Sequence, residues 1–181
     1  MRVLGVDPGS SATGYGLILR EGGRVRHLRH GVLRPPNGAD LSVRLNFLHA
    51  ALAEILRDEK PEVAVVERVF LASNPHSALV LGQARGALLA SLGEAGVRVA
   101  EIAARQAKKA ITGSGAADKA QMQAMVTRLL QLEVQPATDA ADALALALSY
   151  AQAGALADLP TTGRRRNSRR AMTELVVRRT R

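Results

Sequence analysis

Residues 1–18 read MRVLGVDPGSSATGYGLI, and the fold turns on how this stretch is parsed. Arg2 to Val6 is short, mostly apolar and stopped by Pro8-Gly9, as a buried strand is when it enters a turn. Asp7 follows it directly, at the carboxyl end, where α/β sheets keep their functional groups. Gly9, Gly14 and Gly16 strip side chains from the turn and the returning strand, which leaves room for a bulky anionic ligand against the backbone. A plain hairpin accounts for the same residues, with glycines for the turn and an aspartate that helps it form. The rest of the chain has to separate these readings.

With 181 residues the chain fits one domain, large enough to bury roughly 70% of its unfolded surface without staples. It has no cysteine, which excludes a disulfide framework, a zinc knuckle and a thiolate nucleophile. No window approaches the roughly 18 apolar residues of a membrane span, and the apolar run after Arg2 breaks at Asp7, too soon for a signal peptide. A soluble cytoplasmic protein without membrane association is expected. The net charge of +9 is unevenly placed: residues 161–181 hold eight arginines (Arg164, Arg165, Arg166, Arg169, Arg170, Arg178, Arg179, Arg181) against Glu174. The remainder, with 17 basic and 15 acidic residues, carries only +2. The basic character therefore belongs to a segment such as GRRRNSRR, read as a solvated, disordered tail with a non-specific pull on phosphate. We expect a globular domain over 1–155 and this tail over 156–181.

Along the chain, Gly14 to Arg20 reads as a second strand, Glu21-Gly22-Gly23 as a hairpin turn and Arg24 to Leu33 as a third strand, polar enough for a sheet edge. After the loop Pro35-Pro36-Asn37-Gly38, Asp40 caps a helix with Leu41, Leu45, Leu48, Leu52, Ile55 and Leu56 at helical spacing, and Pro61 closes it off. Glu62 to Glu67 contains the uninterrupted Val63-Ala64-Val65-Val66 of a strand covered on both faces. A long helix from about Pro75 to Gly93 follows, with Gly82, Gly86 and Ala90 as a smooth strip that suits internal packing or a dimer seam. Val97 to Ile102 reads as a fifth strand. Helical segments then carry Arg105, Lys108 and Lys109 before the loop Thr112 to Gly115, and Lys119 after it. The last helix begins after Pro136 with Thr138 as its N-cap.

If the strand ending at Glu67 returns through the helix from Asp40 to lie beside the strand ending at Asp7, the two run parallel and finish on one edge. At the inter-strand spacing of about 4.8 Å their carboxylates face each other across a gap suited to divalent cations. A solvated strand-end glutamate is the plainer account of Glu67 taken alone. Asp139 and Asp142 lie three apart on one helix face, among alanines small enough to let that helix dock closely on a sheet. Acidic residues also favour a helix's first turn through its dipole. Together the four acids form an oxygen-only donor set that suits Mg²⁺ or Mn²⁺. Phe70, in the loop after Glu67, is either core or a surface that stacks on an unpaired base. Three of the four lysines, Lys108, Lys109 and Lys119, cluster around one loop as a phosphate track or an exposed charged turn.

The segments VDPGSSATGYG, VVERVFLASNPHSALVLGQARG, AARQAKKAITGSGAADKAQ and TDAADALALA, in this order and spacing, resemble the RuvC family of bacterial Holliday junction resolvases over about residues 1–153. The resemblance implies an α/β, RNase H-like fold: a five-stranded mixed sheet, three antiparallel strands then two parallel ones, flanked by helices. It implies a homodimeric endonuclease that resolves four-way DNA junctions by paired nicks in recombination and repair, working with the RuvA and RuvB branch-migration proteins. By similarity Asp7, Glu67, Asp139 and Asp142 match the catalytic metal-binding acids, Phe70 the aromatic that engages bases, and Lys108 and Lys119 basic residues near the scissile phosphate. Lys109 and Arg68 join them as expected DNA contacts, although Arg68 stands where glutamine is common in the family. The expected chemistry uses two Mg²⁺ ions about 4 Å apart, bridged by Asp7, with Mn²⁺ able to substitute.

Two other classes fit parts of this pattern. The Asp-Pro-Gly…Thr-Gly hairpin also looks like the phosphate loop of sugar-kinase and actin-like ATPases, which need two lobes around a nucleotide where this chain has room for one. A non-catalytic junction-binding protein with a degenerate site would not need all four acids.

Overall fold

A computed structural model describes residues 1–68 and 74–157. Five strands form one sheet: β1 (Arg2–Asp7), β2 (Thr13–Glu21), β3 (Arg24–Leu33), β4 (Val63–Glu67) and β5 (Arg98–Ile102). Their order is β3-β2-β1-β4-β5. β1 pairs antiparallel with β2, as β2 does with β3, whereas β4 lies parallel to β1 and β5 parallel to β4. The five-stranded mixed sheet expected from the sequence is the one observed, with the polar β3 at an edge.

Five helices cover this sheet: α1 (Leu41–Glu59), α2 (Pro75–Glu94), α3 (Ala104–Thr112), α4 (Lys119–Leu129) and α5 (Thr138–Ala157). The apolar positions of α1 fall at helical spacing, and Leu48, Leu52, Ile55 and Leu56 are buried. With α2 residues Ala84, Leu88 and Leu92 they meet Leu4, Val6, Leu17, Ala64 and Val66 on one face. On the other face α3, α4 and α5 pack against Val3, Ile18, Val63 and Val65. Because both faces are covered, β4 has no polar residue between Val63 and Val66, as the sequence suggested.

The closest packing is between α5 and the two strands beneath it. Ala140, Ala141, Ala143, Ala145 and Ala147 are at most 1% exposed. The strands supply glycines opposite them. A Cβ at Gly5 would stand 1.8 Å from the Ala143 carbonyl oxygen, one at Gly14 would stand 1.9 Å from that of Asp139, and one at Gly16 would stand 2.5 Å from Leu144 Cγ. The room that Gly14 and Gly16 open is thus filled by α5 rather than left for an anionic ligand, which corrects the sequence expectation.

Helix starts differ in detail. Asp40 occupies the N-cap of α1, but its side chain makes no capping bond. Thr138 is the first helical residue of α5, and the Ala137 carbonyl accepts its first bond, from Ala141 N at 2.9 Å. Asn74 and Asp118 cap α2 and α4 through their side chains. Among the described residues no helix is long and apolar enough to cross a membrane. Phe70 and the Arg-rich segment lie outside the described residues, and the α5 backbone runs two residues past the expected domain end at 155.

Gly5→Ala is expected to destabilise the fold by about 3 kcal/mol or more, since α5 must lift off the sheet. Gly93→Ala, in α2 with nothing among the described residues near the added methyl, is expected to be neutral or to stabilise by up to about 1 kcal/mol. Chemical denaturation of the two variants checks the contrast.

Candidate active site

Buried Val6 on β1 stands opposite Val66 on β4, so the next residues, Asp7 and Glu67, leave the same sheet edge side by side. Burial above all, then hydrogen bonding with Glu67 and the charges of Glu67, Asp142 and Asp139, push the Asp7 carboxyl up to about 9. Burial also raises Asp142; the Lys119 and Lys108 ammonium groups pull it back, while Glu67 and Asp139 add to the rise. All four acids therefore feel one another, and they come from a strand end, a second strand end and the first turns of α5.

Asp7, Glu67 and Asp142 open on a cleft of about 170 Å³, together with Lys108. Its apolar wall includes Ala107 of α3, Met122 of α4, and Ala145 and Leu146 of α5. Asp139 is not part of this lining; it lies one helical turn before Asp142. Lys119 acts on Asp142 from the start of α4. Lys109 is exposed on α3, outside the residues that line the cleft. Arg68 is exposed after β4, where its backbone N donates to Ile102 O at 2.9 Å and its Nε stands 3.6 Å from Glu101 Oε2. Phe70 is beyond the described residues.

Four further residues shape the site without a sequence signal that separates them from solvated charges or ordinary turn residues. Arg44 of α1 reaches the loop after Asp7, donating to Ser10 O at 2.5 Å and Ser11 Oγ at 3.3 Å. Thr13, fully buried, closes the same loop by donating to Gly9 O at 2.8 Å. Arg85 of α2 pairs with Glu101 of β5 and donates to the Glu67 carbonyl at 3.4 Å. Glu101 is thus held between Arg68 and Arg85 at the exit of β4.

The donors are carboxylate oxygens alone, hard ligands that suit Mg²⁺ or Mn²⁺. Among the described residues no three His, Asp or Glu side chains are grouped tightly enough to hold an ion as they stand. The residues nevertheless fit a cation by their chemistry: a carboxyl raised to about 9 by burial and three like charges is what a divalent ion between them would relieve.

A mixed five-stranded sheet with acids at the ends of two adjacent inner strands, and more on the helix packed over them, defines an RNase H-like nuclease. The comparisons with known proteins agree. The family model described as "Crossover junction endodeoxyribonuclease RuvC" matches residues 3–150, and the chain belongs to the RuvC family. The crossover junction endodeoxyribonuclease RuvC of Burkholderia multivorans is 49% identical over 154 residues, 85% of each chain. The Thermus thermophilus RuvC structure superimposes with a TM-score of 0.78 at 34% identity, covering 87% of this chain and 97% of that one. Thermus thermophilus RuvC in complex with a Holliday junction substrate gives the same score and identity over 85% and 96%. RuvC enzymes are metal-dependent nucleases.

The raised Asp7 has a consequence for stability. Its carboxyl titrates near 3.8 in the free residue and near 9 when folded, so the folded state keeps a proton that the unfolded chain releases. Its stabilising contribution is full below about pH 4 and is lost as pH rises toward about 9. The Tm of chelator-treated protein is therefore expected to fall between about pH 5 and about pH 8. Asp7→Asn should flatten this slope; an unchanged slope in thermal melts would show that Asp7 is not its source.

Proposed function

We propose that this crossover junction endodeoxyribonuclease cuts four-way DNA junctions with a site made of Asp7, Glu67, Asp139 and Asp142 that holds two Mg²⁺ ions, Mn²⁺ being able to substitute. The observation that carries the reading is the convergence of these acids beside Lys108 and Lys119. When bound, the ions supply Lewis acidity to the phosphate and lower the pKa of the attacking water. Asp7, Glu67, Asp139 and Asp142 would hold the ions, with Asp7 the acid that feels the charge of the other three. Lys108 and Lys119 offset the charge that develops on the scissile phosphate. The products are 5′-phosphate and 3′-hydroxyl ends.

Phe70, Arg68 and Lys109 contact DNA around this site, Phe70 by stacking on a base near the crossover. A homodimer sets two sites on opposite strands, which turns single nicks into symmetric resolution. The strip on α2 supports a second copy as neighbour: Leu79 is 62% exposed, and among the described residues nothing outside the helix's own backbone lies within 4 Å of a Cβ placed at Gly82 or Gly86. The protein acts in the cytoplasm with the RuvA and RuvB branch-migration proteins. The arginine-rich sequence that follows α5 adds non-specific attraction to phosphate.

Asp7→Asn is expected to bind a four-way junction as tightly as the unmodified protein and to cut it at least about 1,000-fold more slowly, a loss of about 4 kcal/mol of transition-state stabilisation. Gel-shift and cleavage assays with and without Mg²⁺ test both halves, and cleavage at the unmodified rate overturns the assignment. Truncation after Pro160 should make the log-log salt dependence of duplex binding shallower by about 0.9 for each phosphate the tail neutralises. An unchanged slope means the tail takes no part in binding.

A further inference from the structure

A second group of ligating side chains lies on the edge strand. Residues three apart on a regular strand point to opposite faces. The pairing of β2 with β3 slips by one residue: Leu17 faces Arg29, Ile18 faces His27, and Leu28 is the extra residue of a bulge. His27 and His30, opposite Ile18 and Gly16, thereby come to one face of the strand. Their ring centroids are 4.8 Å apart and the planes are tilted by 53°. His30 Nδ1 lies 2.8 Å from His27 Nε2. The pair borders a cleft of about 480 Å³ whose other wall is the segment leading toward α5, including Glu133.

We infer that His27 and His30 chelate one late first-row divalent ion, Zn²⁺, Ni²⁺ or Cu²⁺, at a site distinct from the carboxylate cluster. Imidazole nitrogens select these ions, whereas an oxygen-only set selects Mg²⁺ or Mn²⁺. An ion about 2.1 Å from each nitrogen sets the two nitrogens about 3.0–3.4 Å apart, so the rings part by a few tenths of an ångström and swing until both lone pairs face the ion. The proton between them moves to the outer nitrogen of the ring that carries it. Burial and the neighbouring His30 lower the His27 pKa, which favours the neutral ring that a metal needs. Glu133 and Arg26 also line this cleft, and water completes the ion's shell.

Tag-free full-length protein, kept in excess Mg²⁺ to occupy the carboxylates, is titrated with Cu²⁺ and followed by calorimetry and electron paramagnetic resonance. One equivalent with nitrogen hyperfine structure is expected. His27→Gln and His30→Gln should each weaken it at least tenfold with the far-ultraviolet spectrum intact, and Asp7→Asn should leave it unchanged. Zn²⁺ should raise the Tm of the unmodified protein but not that of His27→Gln. No nitrogen-coordinated equivalent, or one that persists in both variants or vanishes in His49→Gln, overturns the assignment.

Discussion

Everything at the carboxyl edge of this sheet depends on how closely α5 lies on β1 and β2. Backbone meets backbone there, with Gly5 and Gly14 under the carbonyls of Ala143 and Asp139. A helix normally stands off a sheet by the length of interleaved side chains. Glycine on one surface and alanine on the other remove that layer. The helix then brings Asp139 and Asp142 within the electrostatic reach of acids at the strand ends.

The same closeness concentrates like charge where water is scarce. Burial is the largest influence on Asp7, ahead of any single neighbour. Without a cation the cluster keeps a proton, and the apolar wall from Ala107, Met122 and Leu146 preserves the low polarity that makes the repulsion costly. Lys108 and Lys119, on separate helices, oppose part of it at Asp142. A site so arranged gains most from a divalent ion, and part of the chain's stability is set aside for binding one.

Outside the cleft, polar contacts hold the two chain segments that carry the acid-bearing strand ends. Arg44 and Thr13 secure the loop after Asp7, and Glu101 gathers Arg68 and Arg85 beneath the end of β4. The arginine at position 68 has an intramolecular partner in Glu101. Such tethers over-determine the geometry of the acids, which a site relying on fixed charges requires.

Strand and helix periodicity, the Val63–Val66 run and the turn at Pro8-Gly9 are local patterns, and they were legible because the burial they report is repeated residue after residue. The pairing of Asp7 with Glu67 followed from one parallel crossover, which the spacing of the first helix and fourth strand already implied. The amino-acid order by itself thus determined the elements, their sequence around the sheet and the four acids as candidates. Tertiary structure alone decided that the glycines admit a helix instead of a ligand, that Gly5 belongs with Gly14 and Gly16, and that a bulge at Leu28 turns two histidines to one face. It also decided which arginines act as tethers. These depend on distances between segments tens of residues apart, and a charged or small residue looks the same in the chain whether its partner is water or another strand.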